Sequence, residues 1–144
     1  PEYRRQRQMC IRDRYGIIRK RIDTMRRMIL EMGTGNDLYG QDYTKAGRRA
    51  VQDAIHHSSL TLFRSLGLSH EDMHVNVTIA VQQPEKVDRE AIALELPRGK
   101  AKVAVVFGGL DVHDAENDTV SVIATAAIEA YLDIDRDNWM LSDT

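Results

Sequence analysis

The stretch RRMILEMGTGNDLYGQDYTKAGRRAVQDAI, residues 26–55, changes its hydrophobic period once, and that change sets the fold class. Met28, Leu30 and Met32 alternate with Ile29 and Glu31, the two-residue period of a strand. From Tyr43 onward Ala46, Ala50, Val51, Ala54 and Ile55 fall on one stripe at helical spacing, carried on to about Leu60. Gly47 inside that helix costs about 1 kcal/mol relative to alanine. Between the two patterns lies the glycine-rich segment GTGNDLYGQD, residues 33–42, which reads as the turn joining strand to helix.

The rest of the chain extends the pattern. HVNVTIAV (74–81) alternates Val75, Val77, Ile79 and Val81 with polar or small residues and reads as a strand closed by Pro84. VDREAIALELPRG (87–99) reads as a short helix with Asp88 as N-cap and Pro97-Arg98-Gly99 as its stop. KAKVAVVFGG (100–109) reads as a third strand. In TVSVIATAAIEAYL (119–132), Val120, Ile123, Ala127 and Tyr131 make a stripe at helical spacing, with Asn117 or Asp118 as cap, so a third helix is expected, and YLDI then opens a fourth strand. The expected architecture is an α+β two-layer sandwich in the order β-α-β-α-β-α-β, with helices on one face of the sheet.

The amino-terminal 24 residues do not share this patterning. Gln6 to Arg14, QRQMCIRDR, is basic, has no amphipathic period and holds the chain's single cysteine, Cys10. Written back into codons it resembles the mosaic-end adapter of a transposase-based sequencing library, and the expectation is that residues 1–24 are a non-native extension, with 25–144 the single domain. An alternative makes Gly16 to Ile22 a genuine extension of the first strand. Residues 1–24 hold 8 of the 20 basic and 3 of the 22 acidic residues, which leaves 12 against 19 and a formal net charge of −7. So acidic a domain lacks the clustered Lys and Arg that phosphate-backbone binding requires, and no nucleic-acid partner is expected. Without Cys10 there is no cysteine for disulfides, thiolate metal sites or nucleophilic catalysis. No apolar run is long enough for a membrane span and no signal peptide is visible, so the expectation is a cytoplasmic protein with no membrane partner.

The glycine-rich segment carries the chemistry. A loop between strand and helix aims free N–H groups at whatever lies above it, and the helix dipole favours an anion there. Neither familiar phosphate motif is present, because Leu38 stands where a dinucleotide fingerprint needs its third glycine and Gln41-Asp42 where a P-loop needs Lys-Ser/Thr. What the segment offers is the carboxylates Asp37 and Asp42, the cation Lys45, the phenol of Tyr39 and the amides of Asn36 and Gln41. GTGNDLYG is similar to the GxGxDxHG signature of the Lin-five-twelve family of conserved hypothetical proteins, and GQDYTKAGRRAVQDAI, LPRG and VVFGGLDV resemble the family over essentially Met28 to Asp133. The resemblance implies membership and no chemistry, since the family has no assigned activity. Tyr39 stands where the signature has His, which puts any mechanism through that His in doubt.

A second candidate is GGLDVHDAEND (108–118). If the first and third strands are parallel neighbours, both glycine-rich loops open at one sheet edge, where ligands commonly bind. The expected catalytic residues are Asp37 and Glu31, as base or metal ligand. The expected ligand-binding residues are Gly33, Gly35, Asn36, Tyr39, Gly40, Gln41, Lys45, Gly108 and Gly109. Asp37, Asp111 and His113 form the candidate metal set, whose oxygen-rich chemistry suits Mg²⁺, Mn²⁺ or Ca²⁺. Plainer readings make Asp42 and Asp118 helix caps, His56, His57 and His113 surface histidines, and the glycines sources of positive φ. DIDRDN (133–138) imitates an EF-hand start but fails at Asn138 and Thr144.

The functional expectation is a small-molecule enzyme taking a small anionic substrate. The alternatives are a non-catalytic ligand-binding or regulatory module and a structural oligomer. In an acid-rich loop, Asp37→Asn is expected to relieve repulsion while removing binding. A sheet with one helical layer, and the apolar Trp139, Met140 and Leu141, lead to the expectation of a homo-oligomer.

Overall fold

The computed structural model describes residues 25–57 and 67–134. The chain divides into two compact units, Arg27–Tyr131 and a second formed by Pro1–Arg26 with Leu132–Thr144, and the description below concerns the first. The readings made of residues 1–24, of Leu60, of 135–138 and of Trp139 to Leu141 lie outside the described residues.

In chain order the elements are β1 (Met25–Asp37), α1 (Tyr43–Ile55), β2 (His74–Val81), α2 (Arg89–Ala93), β3 (Lys100–Phe107), β4 (Leu110–Asp114) and β5 (Thr119–Asp133), with single 3-10 turns at His70–Asp72 and Pro84–Lys86. The strands form one mixed sheet in the order β1-β5-β2-β3, with β4 also paired to β5. β2 runs parallel to β3 and antiparallel to β5. Arg27 meets Glu129 while Leu38 meets Ser121, so β1 is antiparallel to β5 as well. It follows that β1, β2 and β3 all run the same way and their carboxyl ends share one edge. The long β5 pairs with β2 over Thr125–Tyr131, and with β4 over Thr119–Ile123.

Helix α1 lies on β1 unusually closely. A Cβ on Gly33 would run into the Ala50 oxygen and the Ala54 nitrogen, and one on Gly35 into the Ala46 oxygen and the Ala50 nitrogen. Residues 33, 35 and 37 share one face of the strand, and the alanines at 46, 50 and 54 share one stripe of the helix, so two backbones meet with only methyl groups between them. Helix side chains also engage the edge strand's backbone, with Asp53 accepting from the Thr34 N–H at 2.9 Å and Arg49 donating to the Asn36 oxygen at 2.6 Å. Such partners blunt an otherwise open edge. Under α1 and Ile92 of α2, the core is made by Val75, Val77, Ile79 and Val81 of β2 with Val122, Ala124, Ala126 and Ile128 of β5. Arg48 and Gln52 of α1 both bind Glu95, just beyond α2.

The structure corrects the expected order in three places. The glycine-rich segment is no turn as far as Asp37: β1 runs through it, because Gly33 and Gly35 are needed where strand and helix touch. The second helix is shorter than 87–99 suggests, though Asp88 does cap it, accepting from the Glu90 and Ala91 N–H groups. The stretch 119–132 is a strand and not a helix, YLDI closes that same strand instead of opening another, and residues 110–114 of the second glycine-bearing segment form β4. Val122, Ala124, Ala126, Ile128 and Ala130 are buried at period two, while Ile123 and Ala127 between them are also apolar, so helical and strand periods both fit the letters. Pairing with strands on both sides decides between them. Asp118 accordingly caps no helix and sits at φ +51° in the β4–β5 turn.

The close approach gives a direct test. Gly35→Ala is expected to destabilise the fold by about 2–3 kcal/mol or more, because the added methyl meets backbone that has no rotamer to yield. Urea unfolding monitored by circular dichroism measures it, and a loss below about 0.5 kcal/mol would contradict the contact.

Candidate functional site

Where β1 ends, Asp37 points to the same face as the two glycines and finds the start of α1. Its residue is 2% exposed, the one buried polar side chain among the described residues. Lys45 Nζ lies 2.8 Å from its Oδ1, Arg49 stands at 4.0 Å, and the Asp42 N–H donates to its Oδ2 at 2.9 Å. A Cβ on Gly40 would lie 2.7 Å from Oδ2, so the glycine leaves the carboxylate room. Asp42 is the N-cap of α1, its side chain accepting from the Lys45 N–H at 2.9 Å. Gln41, between them, takes φ +50° to make the corner. The Lys45 ammonium, helped by the Asp42 N–H, holds the Asp37 carboxyl below the usual carboxylate value against the opposing effect of burial.

One residue farther into α1, Tyr43 is buried and its hydroxyl donates to Asp111 Oδ2 at 2.5 Å. Burial, then the bond to Asp111, pushes its pKa up to about 12, so the phenol stays protonated across the physiological range. Lys86 stands over the Tyr43 ring, 5.9 Å from its centroid. Asp111 is the second residue of β4, just past the turn from β3, and pairs with Val122 of β5. Gly109 makes that turn at φ +62°, with its α-carbon so close to the Ile123 and Ala80 oxygens that a Cβ would clash. Gln82 braces it by donating to the Gly108 and Gly109 oxygens. Asp111 Oδ1 is buried and has no hydrogen-bond partner.

The two glycine-bearing segments therefore open at one edge, although β1 and β3 are not neighbours but stand at opposite ends of the sheet order. Asp37, Lys45, Gln41 and Gly40 gather at the amino end of α1, and Asp111 with Gly108 and Gly109 joins them through Tyr43. Glu31 lies elsewhere: it faces His57, just past the carboxyl end of the same helix, at 3.9 Å. Gly33 and Gly35 are covered by α1, while Asn36 offers its carbonyl to Arg49. Tyr39 is 83% exposed, and His113 is exposed on β4. Among the described residues no group of three or more His, Cys, Asp or Glu side chains is placed to hold a metal ion. Nor is any helix there long and apolar enough to cross a membrane. Tyr43 is the residue that reading the sequence passes over. Its signal was its position three before Ala46 on the buried stripe, since a buried phenol requires a hydrogen-bond partner.

A protein-family model, conserved hypothetical protein Lin0512_fam, matches residues 27–130, and the chain belongs to that family. No curated protein matches the chain. Among solved structures it is similar to an FtsZ-like protein of unknown function from Nostoc punctiforme PCC 73102, at 34% identity and a TM-score of 0.69, over 77% of this chain and 98% of that one.

This geometry separates two neighbouring acids. Asp42→Ala is expected to cost about 1 kcal/mol through the lost cap, read by urea unfolding at neutral pH. Asp37→Asn is expected to cost about 1–2 kcal/mol rather than to relieve repulsion, mainly because the Asp42 N–H loses a charged acceptor; half-exposed Lys45 adds less. With the folded pKa lowered, the stabilisation from Asp37 is present above the unfolded value of 3.8 and disappears as pH falls through the folded value. Wild type and Asp37→Asn should therefore begin to converge in stability only as pH falls below about 4, and a gap that stays unchanged down to the most acidic pH at which the protein folds would contradict the pairing.

Proposed function

We propose that the protein binds a small polar molecule at the shared carboxyl edge of β1, β2 and β3, and that Asp111 is the group that receives it. The observation that carries this reading is Asp111 Oδ1, buried and without a partner while Oδ2 is held by Tyr43. An unsatisfied buried acceptor costs roughly 1–3 kcal/mol, and a ligand's ammonium, amide or hydroxyl donor would recover that energy on binding. Lys45 and Lys86, both on the exposed rim, supply cations for an anionic group on the same molecule. A zwitterionic or hydroxy-acid ligand satisfies both requirements.

An enzymatic role uses the same atoms. Asp111 is the group able to accept a proton from the bound molecule, and Tyr43, donating to the opposite oxygen, fixes the carboxylate's orientation for it. Asp37 suits the base role less well, since Lys45 favours its ionised form and a weak base results. Its part is to hold Lys45 and the helix start in place. The similar Nostoc punctiforme protein, described as FtsZ-like and of unknown function, supports the fold in this reading and no reaction.

A thermal-shift panel of amino acids, hydroxy acids, amines and carboxylates tests the site, because a ligand that binds only the folded state raises the melting temperature by mass action. Asp111→Asn keeps an acceptor for Tyr43 but replaces a free oxygen by a donor. It is expected to leave the ligand-free protein folded and to abolish the shift. An undiminished shift in Asp111→Asn would remove Asp111 from the site, and turnover of the same compound would distinguish an enzyme from a binding module.

A further inference from the structure

The face of the sheet turned away from the helices carries the largest group of exposed apolar side chains. Residues 32 and 34 of β1 lie opposite the face that meets α1, and in β2 and β5 the residues between the buried ones point the same way. Register places Val106 beside Ala80, Leu110 beside Ile123 and Val112 beside Ser121 on this face. Leu30, Met32, Val106, Leu110 and Val112 are 42–60% exposed there. Isolated exposed apolar residues need no explanation, but a contiguous patch of them marks an interaction surface.

The charges around the patch say what covers it. His74, Lys100 and Lys102 lie at the amino ends of β2 and β3 on this face, where Glu129 is already neutralised by Arg27, whereas Asp114, Glu116 and Asp118 lie at the opposite end, on the β4–β5 hairpin and its turn. Measured along β5, Lys100 is level with Tyr131 and Asp114 with Thr119, so Thr125 stands at the midpoint. Val106 lies level with that midpoint, and Ile123 with Leu110 just beside it. A half-turn about an axis that lies parallel to the face, crosses the strands at right angles and passes over Thr125 would bring two such faces together and set the basic end of one chain over the acidic end of another, twice.

We infer that this face is covered by the same face of a second copy, packed with strands antiparallel about that two-fold axis. Like surfaces meeting in this way form a closed, self-complementary contact, the commonest arrangement of homodimers. Four strands about 4.8 Å apart and some eight residues long at about 3.3 Å each span roughly 19 by 26 Å per copy. Two such faces reach the roughly 1,000 Å² that a specific interface requires. Apolar side chains from the two sheets fill the centre, and lysines of each copy meet the hairpin acids of the other at both rims.

Sedimentation of the full chain at micromolar concentration tests the arrangement. Twice the 16.4 kDa chain mass is expected. Met32→Glu and Val106→Glu, at positions exposed in a single copy, are each expected to give a folded monomer with unchanged far-ultraviolet circular dichroism. Lys102→Glu is expected to weaken association by about tenfold or more, and Glu116→Lys added to it to restore part of the loss. A wild-type monomer, whether its face is bare or covered by another part of the chain, overturns the inference. So does a dimer that both Met32→Glu and Val106→Glu leave intact.

Discussion

The contact between the β1 backbone at Gly33 and Gly35 and the alanine stripe of α1 is the constraint from which the rest of the molecule follows. With no side chain between them, strand and helix approach until Cβ-sized space vanishes, and the angle and height of the helix over the sheet are fixed. The next residue on that face is Asp37. It is delivered, buried, to the amino end of the helix, where Asp42, Lys45 and Arg49 meet it. A segment that looks like a ligand cradle is in large part a joint.

That joint sets the position of the candidate site. Tyr43 is the first residue of α1, so the helix placement that Gly33 and Gly35 impose also decides where its hydroxyl ends, 2.5 Å from Asp111 Oδ2. Asp111 is placed from the other side by the tight Gly108-Gly109 turn, wedged between the end of β2 and the middle of β5. Two segments about seventy residues apart in sequence converge because β1, β2 and β3 run the same way and release their loops at one edge. The convergence leaves one buried oxygen unsatisfied, and unsatisfied buried groups concentrate where structures do chemistry or bind ligands.

The opposite face of the sheet obeys a different constraint. Helices cover one side of β2 and β5, so every second residue of these strands is relieved of the need to pack against them, yet Ile123, Ala127 and their neighbours on β3 and β4 stay apolar. Among the described residues, Leu30, Met32, Val106, Leu110 and Val112 stay exposed on this face, and they are the observation from which we infer a second copy as its partner. The proposed site and the inferred interface occupy different parts of the fold, so a substitution that tests one leaves the other in place.

Local chemistry let the sequence by itself determine a good deal. Period-two alternation identified β2, helical spacing identified α1, and the cap chemistry of Asp42 and Asp88 was readable from their place just ahead of helical runs. Family membership was legible in GTGNDLYG and the residues that follow it. Three matters were decided only in three dimensions. Whether 119–132 is helix or strand was open, because a strand between two others can be apolar on both faces and then satisfies either period; hydrogen-bonding partners on both sides settled it. The glycines at 33 and 35 read as a flexible turn until the helix lying on them was in place, since close approach is a property of two segments and is written in neither. The bond between Tyr43 and Asp111 was invisible for the same reason: it joins residues 68 positions apart, and only the common direction of the parallel strands brings them to one edge.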